Sequence, residues 1–224
     1  MNYTFQFNQV YANLPYLLGG AFLTIFIAMA SFWAGMVIGL FCATGKTYGG
    51  RLVRRLVNAY VIFFTNTPLL IQIFFLMYAL PEAGILLSPL AAVLIGKTLC
   101  AGAYLTEIQR AGFLSVRRTE IEAAETLGMS RLQTVYYVIV PHIAKTIYAP
   151  LSNYFIWALL GTSMAAIFGV EELTGRAINV STSTLRTIET FLVVAAVYVV
   201  LTTIASAMLA LIGRYCFGVK ARIF

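Results

Sequence analysis

The first 45 residues of the chain, Met1 to Gly45, contain no charged side chain, and this feature restricts the possible folds more than any other. Within them, residues 17–44 form an apolar run longer than the roughly 20 residues that a helix needs to cross a bilayer. Lipid offers no water to backbone N–H and C=O groups, so such a run is expected to be helical. The rest of the chain is similar: 61% of all residues are apolar and 10% are charged. The sequence therefore predicts an all-α membrane protein.

Five apolar stretches alternate with polar segments, which predicts a polytopic protein with five transmembrane helices in one domain, residues 1–224. We expect the spans at residues 17–44, 57–80, 90–112, 147–168 and 190–212, with a longer polar loop at 113–142. Basic side chains are concentrated in the segments that follow spans one, three and five. Because loops rich in Lys and Arg stay on the cytoplasmic side, this bias predicts an external N-terminus and a cytoplasmic C-terminus.

The polar loop contains a short sequence in which two alanines lie between acidic residues. Ala123 and Ala124 lie between carboxylates, so a helix formed here presents a narrow, smooth side. Gly128 can adopt the left-handed conformation that ends one helix, and Ser130 can cap the next. The residues alone are equally compatible with a solvated amphipathic loop and with a helix that docks onto another protein.

The same string resembles part of a known family. Glu122, Ala123 and Ala124, then Gly128 and an Ile-Val-Pro sequence at 139–141, are similar to the Glu-Ala-Ala loop of ATP-binding-cassette (ABC) importer permeases. Other segments resemble its polar amino acid branch, the histidine, glutamine and arginine type, over nearly the whole chain. These segments are Thr67 to Gln72, Ala103 to Glu107, Pro150 to Asn153, and Thr162 with Ser163. The resemblance implies the type I ABC importer permease fold.

The resemblance also implies a transport subunit and not an enzyme. Such a permease pairs with an identical or a sister permease, rests on two ATP-binding subunits and receives solute from a periplasmic or extracellular binding protein. The residues implied to couple to the ATPase are Glu122, Ala123, Ala124, Gly128 and Arg131. ATP and Mg would be bound by the partner ATPase, with no cofactor on this chain. The implied location is the bacterial inner membrane, in contact with lipid and not with nucleic acid.

A charged side chain inside a span is costly in lipid and usually functional, and Lys97 lies well inside span three. Cys100 and Tyr104 follow on the same face of the expected helix. The family more often has Asn at the position of Cys100. It also commonly has Lys-Asp immediately before Thr162, where this chain has Leu-Gly, the glycine being Gly161.

The loss of an acid at Gly161 and the gain of a base at Lys97 would make the middle of the membrane more positive than in the family. A solute with an additional carboxylate, such as an acidic amino acid or an opine, would then be favoured. The alternative is that this chain is the non-binding member of a heterodimer, in which Lys97 pairs with Glu107 or a sister helix. A structural ion pair is also expected between Glu107 and Arg110.

Span two is interrupted near its start by a polar cluster that ends at Pro68. Proline disrupts the hydrogen-bond ladder of a helix and so can expose backbone carbonyls to a solute, although a simple packing kink explains it equally well. The expected substrate-path residues are, in full, Lys97, Cys100, Tyr104, Pro68, Leu69, Gln72, Gly161, Thr162 and Ser163.

An ion-coupled secondary carrier or channel is the main alternative function. A carrier should have acidic groups within its spans, yet the acids here lie in predicted loops apart from Glu107, and Asp does not occur. An intramembrane enzyme would need paired carboxylates, a metal-binding trio or an activated nucleophile. The one histidine, His142, is expected to cap or pack. The sequence therefore predicts no catalytic and no metal-binding residue, and it lacks a phosphate-binding Gly-rich loop.

Overall fold

The computed structural model describes residues 3–218, which form helices and turns and include no β-strand. The α-helices of this part of the chain are α1 Asn8–Ala12, α2 Leu14–Tyr48, α3 Arg51–Asn66, α4 Leu69–Phe74, α5 Pro89–Ser115, α6 Arg118–Thr126, α7 Arg131–Thr134, α8 Val140–Leu160, α9 Leu173–Thr184 and α10 Thr187–Phe217. Several are extended by non-α turns. These are the π-helical turns Phe75–Ala79 and Val135–Ile139 and the 3-10 segments Leu80–Ala83 and Gly161–Phe168.

Within residues 3–218, four helical stretches are long and apolar enough to cross a membrane: Leu14–Tyr48, Pro89–Ser115, Arg131–Phe168 and Thr187–Phe217. The predicted number of five is reached when α3 and the stretch Leu69–Ala83, which form a strongly bent pair, count as one broken span. The all-α polytopic class is therefore confirmed. Helix α2 has 35 residues and, at 1.5 Å per residue, is about 52 Å long. It is longer than the hydrocarbon core of about 30 Å.

The polar loop passes into span four without a break. Its sequence pattern predicts an end at residue 142 and a span that begins at 147, whereas α7, a π-helical turn and α8 are continuous from Arg131. Pro141 thus lies in the first turn of α8. The N–H of Val140 donates to the carbonyl of Val135, five residues back. This wider turn accommodates the proline ring, which would otherwise clash with the carbonyl one turn earlier.

The first of two compact units comprises residues 3–33, Pro68–Thr98 and Phe155–Ala205. Two clusters of buried apolar side chains hold it together. One is Val10, Leu17, Ala21, Leu173, Ala177, Val180 and Val194, and the other is Ile27, Ile73, Val93, Ala165, Phe168 and Val170. The first cluster joins α1, α2, α9 and α10, and the second joins α2, α4, α5 and the segment after α8.

The second unit comprises residues 34–67, Leu99–Tyr154 and 206–218. Its helices approach each other through glycines. A Cβ atom on Gly39 of α2 would lie 3.0 Å from the backbone of Leu105 of α5, and one on Gly213 of α10 would lie 2.5 Å from the ring of Tyr148 of α8. Lipid supplies no hydrophobic drive between helices, so close backbone packing at small residues stabilises such pairs. The prediction of a single permease domain stays a prediction.

Candidate functional site

Helix α6 carries the alanine pair of the polar loop. Arg117 precedes it with an extended backbone, and the guanidinium of Arg118 donates to the carboxylate of Glu122 one turn later, at 2.8 Å. Ala124 is buried, with 3% of its surface exposed, whereas Ala123 is exposed. The outer side of α6 therefore presents a small methyl group next to an exposed carboxylate.

Gly128 and Ser130 end α6 and begin α7, as the sequence predicts. Gly128 has a φ of 75°, and the N–H of Met129 donates to the carbonyl of Ala124 at 3.1 Å. Ser130 and Gln133 form a reciprocal capping box, with N–H to side-chain oxygen distances of 2.8 and 3.4 Å. Satisfied caps at both ends fix the turn between the two helices.

Large apolar side chains are exposed on and after this turn. Leu127, Leu132 and Tyr136 have 81%, 83% and 70% of their surfaces exposed, and Arg131 is exposed beside them in sequence. Leu132 and Tyr136 are four residues apart in a continuous helical stretch and so share a face. Exposed apolar groups of this size mark contact surfaces. Sequence analysis missed them, although their spacing of four was an available signal.

His142 joins α8 to α6. Its Nδ1 atom lies 3.1 Å from the carboxylate of Glu120, with about a third of each side chain exposed. The expected role as a cap or packing residue is therefore too limited, since His142 links the alanine-bearing helix to the base of α8. Sequence separation hid this contact, because Glu120 and His142 lie on different helices.

Glu107 is held by two cations in the second unit. The ammonium of Lys46 donates to Glu107 Oε1 at 2.5 Å, and Arg110 donates to Oε2 at 3.0 Å. The expected pairing of Glu107 with Arg110 is confirmed, and Lys46 of α2 adds a contact that sequence spacing did not indicate. The acid therefore ties α5 to the end of α2.

The break after α3 brings Cys100 and Tyr104 to its exposed end. The last carbonyls of an α-helix have no partner within it. Here the hydroxyl of Thr67 donates to the carbonyl of Phe63 at 2.8 Å, and the hydroxyl of Tyr104 donates to the backbone carbonyl of Thr65 at 3.4 Å. The thiol of Cys100 lies 3.9 Å from the carbonyl of Phe64. Two expected substrate-path residues thus contact the carbonyls freed by the break.

Lys97 and Gly161 lie together in the first unit, with Lys97 only 5% exposed. The Lys97 ammonium donates to the carbonyl of Ala158 at 2.9 Å and would lie 3.5 Å from a Cβ atom on Gly161. Ala158 belongs to the last turn of α8, where the helix dipole favours a positive charge. Lys97 therefore has a structural partner in the carbonyl of Ala158, and its ammonium also lies beside Gly161, where the sequence departs from the family that it resembles.

The other expected path residues have distinct surroundings within the first unit. Thr162 is fully buried and donates to the carbonyl of Leu159 at 2.8 Å, while Ser163 is less buried. Gln72 is buried in α4 with 7% of its surface exposed. Pro68 and Leu69 begin that helix and are more exposed.

A buried carboxylate that sequence analysis assigned to a loop is the best-connected acid in the described residues. Glu172 is 0% exposed and caps the start of α9, accepting hydrogen bonds from the N–H groups of Thr174 and Gly175 at 2.9 and 3.0 Å. Its second oxygen accepts from the hydroxyls of Thr24 at 2.9 Å and Tyr198 at 3.1 Å. Glu172 thereby joins α2, α9 and α10. The signal available in the sequence was an acid just before a helix.

Residues 3–218 contain no group of three His, Cys, Asp or Glu side chains with the geometry of a metal site. The sites described above instead combine a capped, exposed helix with polar groups at broken helix ends. Broken helices of this kind are where transporters expose backbone groups to solutes.

Comparison with known proteins gives a consistent assignment. Residues 35–215 match the family described as the binding-protein-dependent transport system inner membrane component. The glutamine transport system permease protein GlnP of Escherichia coli (strain K12) is 30% identical over 212 residues, 94% of this chain and 97% of that protein. The L-cystine transport system permease protein TcyB of Bacillus subtilis (strain 168) is 37% identical over 159 residues, 71% of this chain and 68% of that protein.

Solved structures agree with these relatives. The crystal structure of an amino acid ABC transporter with histidines matches with a TM-score of 0.87 and 29% identity, over 95% of this chain and 100% of that one. An inward-facing MetNI methionine ABC transporter matches with a TM-score of 0.69 over 92% of this chain and 96% of that one; at 19% identity it supports the fold alone. The chain therefore belongs to the binding-protein-dependent transport system inner membrane component family and is a permease component of an ABC transporter.

Proposed function

We propose that this chain is the permease subunit of an ATP-driven importer for an amino acid or a similar polar solute. The observation that carries the proposal is the capped pair α6 and α7, which exposes Ala123 and ends at Gly128 and Ser130. The names of GlnP and TcyB, which specify glutamine and L-cystine, support an amino acid as the solute.

Coupling follows from the rigidity of this pair. Helix α6 is the coupling helix and seats in a cleft of a partner ATPase, with Glu122, Ala123, Ala124, Gly128 and Arg131 at the contact. Closure of the ATPases on ATP pulls α6, and the continuous stretch from α7 to α8 carries that movement into the membrane. The link between Glu120 and His142 makes α6 follow the base of α8.

The assembly contains two permeases, identical or sister chains, with two ATP-binding subunits and a periplasmic or extracellular solute-binding protein. The ATP-binding subunits hold ATP and Mg and perform the hydrolysis. In the bacterial inner membrane, the N-terminus is external and the C-terminus cytoplasmic, which puts α6 on the side of the ATPases. The excess of basic residues around α6 and after α10 supports this orientation.

The proposed solute path uses the broken helices. It includes Pro68, Leu69 and Gln72 after the break in α3, Lys97, Cys100 and Tyr104 on α5, and Gly161, Thr162 and Ser163 after α8. The ammonium of Lys97 beside Gly161 favours a solute with an additional carboxylate. If the Lys97→Leu variant loses uptake of glutamate but keeps uptake of glutamine, that preference is supported. If the uptake of both solutes is unchanged, the role of Lys97 is the structural contact with Ala158.

The proposal is tested by two matched glycine substitutions. Gly128 and Gly84 both have positive φ angles, 75° and 80°, and a Cβ atom on either would meet no other atom within 4 Å. Gly128→Val and Gly84→Val therefore impose a similar backbone strain at different places. Each variant is co-expressed with the neighbouring ATP-binding subunit and solute-binding protein and reconstituted in liposomes.

Amino-acid-stimulated ATP hydrolysis and co-purification of the ATPase are then measured with glutamine, cystine, glutamate and an opine. We expect both signals with the unchanged chain and with Gly84→Val, and their loss with Gly128→Val. Equal behaviour of the two variants would reject α6 as the coupling helix. Solute uptake by the chain without any ATPase would instead indicate a secondary carrier or channel.

A further inference from the structure

The N-terminal segment before α2 covers an acid at the start of α10. Glu189 lies in the first turn of α10 and is 0% exposed. The hydroxyl of Tyr3 donates to Glu189 Oε2 at 2.5 Å, and the N–H of Gln6 donates to Oε1 at 2.9 Å. Arg186 donates to the side-chain oxygen of Gln6 at 2.8 Å. The polar groups of the segment therefore point towards Glu189 and Arg186.

The aromatic rings of the same segment form an exposed ladder, defined by Tyr3, Phe5, Phe7 and Tyr11. Successive ring centroids are 5.4, 6.0 and 5.9 Å apart. Tyr3, Phe5 and Tyr11 have 49%, 59% and 56% of their surfaces exposed. These four rings pack on each other, and with three of them about half exposed they form an apolar strip along the segment.

The hydrogen bond from Tyr3 to Glu189 places the ladder beside the first turn of α10. Helix α10 begins at Thr187 and contains the most apolar window of the candidate spans, of which only 6% is buried in the chain. A carboxylate in the first turn of such a helix lies where the bilayer begins, and its exposure to lipid would be costly. Tyr3 and Gln6 supply hydrogen bonds to that carboxylate, so the segment lies at the level where α10 enters the membrane.

The hydrogen bond between Tyr3 and Glu189 favours the protonated form of the Tyr3 phenol. It raises the pKa of the Tyr3 phenol above its usual value, because ionisation would put two negative groups in contact. The phenol is therefore protonated, and able to donate, throughout the neutral range, and it loses this proton as the pH rises through the raised pKa. The anchor of the segment does not depend on physiological changes in pH.

We propose that the ladder lies in the headgroup zone of the membrane and that lipid, not a protein partner, covers it. Phe and Tyr rings with one apolar side and one hydrogen-bonded polar end are suited to that zone. The segment has no charged side chain, and the Tyr3 hydroxyl and the Gln6 N–H are turned to Glu189, while the rings of Tyr3, Phe5 and Tyr11 stay about half exposed. This surface is continuous along the chain with α2 and is tied to the start of α10, the two spans with the highest hydropathy.

The experiment uses depth-dependent fluorescence quenching. The two native tryptophans, Trp33 and Trp157, are more than half exposed and are changed to Phe, after which Phe5→Trp or Tyr11→Trp provides a single reporter. Glu125→Trp in the polar helix α6 is the control, because Glu125 is exposed on a helix that does not span. Each variant is reconstituted in nanodiscs of phosphatidylcholine brominated near the carbonyl or near the methyl end of its acyl chains.

We expect the Phe5→Trp emission to be blue-shifted and to be quenched more strongly by bromine near the carbonyl end, and the Glu125→Trp emission to be unchanged by either lipid. Tyr3→Phe, which removes the donor to Glu189, should reduce the quenching of Phe5→Trp. An unquenched, water-like emission from both Phe5→Trp and Tyr11→Trp would overturn the proposal. A blue shift that appears only after the solute-binding protein is added would overturn it as well, and would assign the ladder to that protein.

Discussion

Glu172→Ala is the perturbation that most directly tests the reasoning about the buried polar network. The substitution removes the acceptor of four hydrogen bonds at a side chain with no exposed surface. Loss of the α9 cap costs about 1 kcal/mol, and each bond from a buried hydroxyl to the carboxylate contributes roughly 1.5 kcal/mol or more. Part of this loss is offset, because the variant no longer has to remove a carboxylate from water when it folds. We expect a net loss of about 3 kcal/mol in the free energy of unfolding.

The measurement is thermal and denaturant unfolding of the purified chain in detergent, followed by tryptophan fluorescence. A loss of that size corresponds to a decrease in Tm on the order of 10 °C for a chain of this length. Glu172→Gln should lose less, since its amide oxygen still caps α9. Glu171→Ala is the matched control, because this neighbouring carboxylate is exposed and its removal should cost less than about 1 kcal/mol. Equal losses for Glu171→Ala and Glu172→Ala would refute the role of the network.

Two further predictions concern close contacts between helices. Gly39→Leu forces a side chain against the backbone of Leu105 and should lower the free energy of unfolding by about 2 kcal/mol. Gly50→Leu is the control, because the space around its Cβ position is open, and it should not destabilise the chain. Unfolding curves of the two variants in detergent provide the comparison. Gly161→Asp puts a carboxylate next to the Lys97 ammonium. The change in Tm that this substitution causes should therefore be more favourable in the unchanged chain than in a chain that also carries Lys97→Met. Identical effects in the two backgrounds would contradict the contact.

The features that sequence predicted correctly are local in the chain. The membrane class, the helical composition and the span count follow from apolar runs that satisfy their own backbone groups. The turn after α6 was predicted because Gly128 and Ser130 have conformational and capping preferences that act within a few residues. The ion pair of Glu107 with Arg110 was predicted for the same reason, since the two side chains are three residues apart.

The features that sequence missed depend on distant partners. Glu172 resembles any solvated loop acid until Thr24 and Tyr198 are brought to it by α2 and α10. The continuity of α7 and α8 was hidden because Pro141 usually signals an end, and only the π-helical turn before it provides the necessary room. The contact of Lys97 with the end of α8 likewise requires two spans to be packed.

That π-helical turn, Val135–Ile139, also preserves an angle. A π-helical turn contains one residue more than an α-helical turn, and one residue corresponds to about 100° of rotation about the helix axis. Because that extra residue is taken up within one revolution, Arg131–Thr134 face nearly the same way relative to α8 as they would in a regular α-helix with one residue fewer. The additional residue therefore matters through the space that it gives to the Pro141 ring, and deleting it should be less damaging in a Pro141→Ala background than in the unchanged chain.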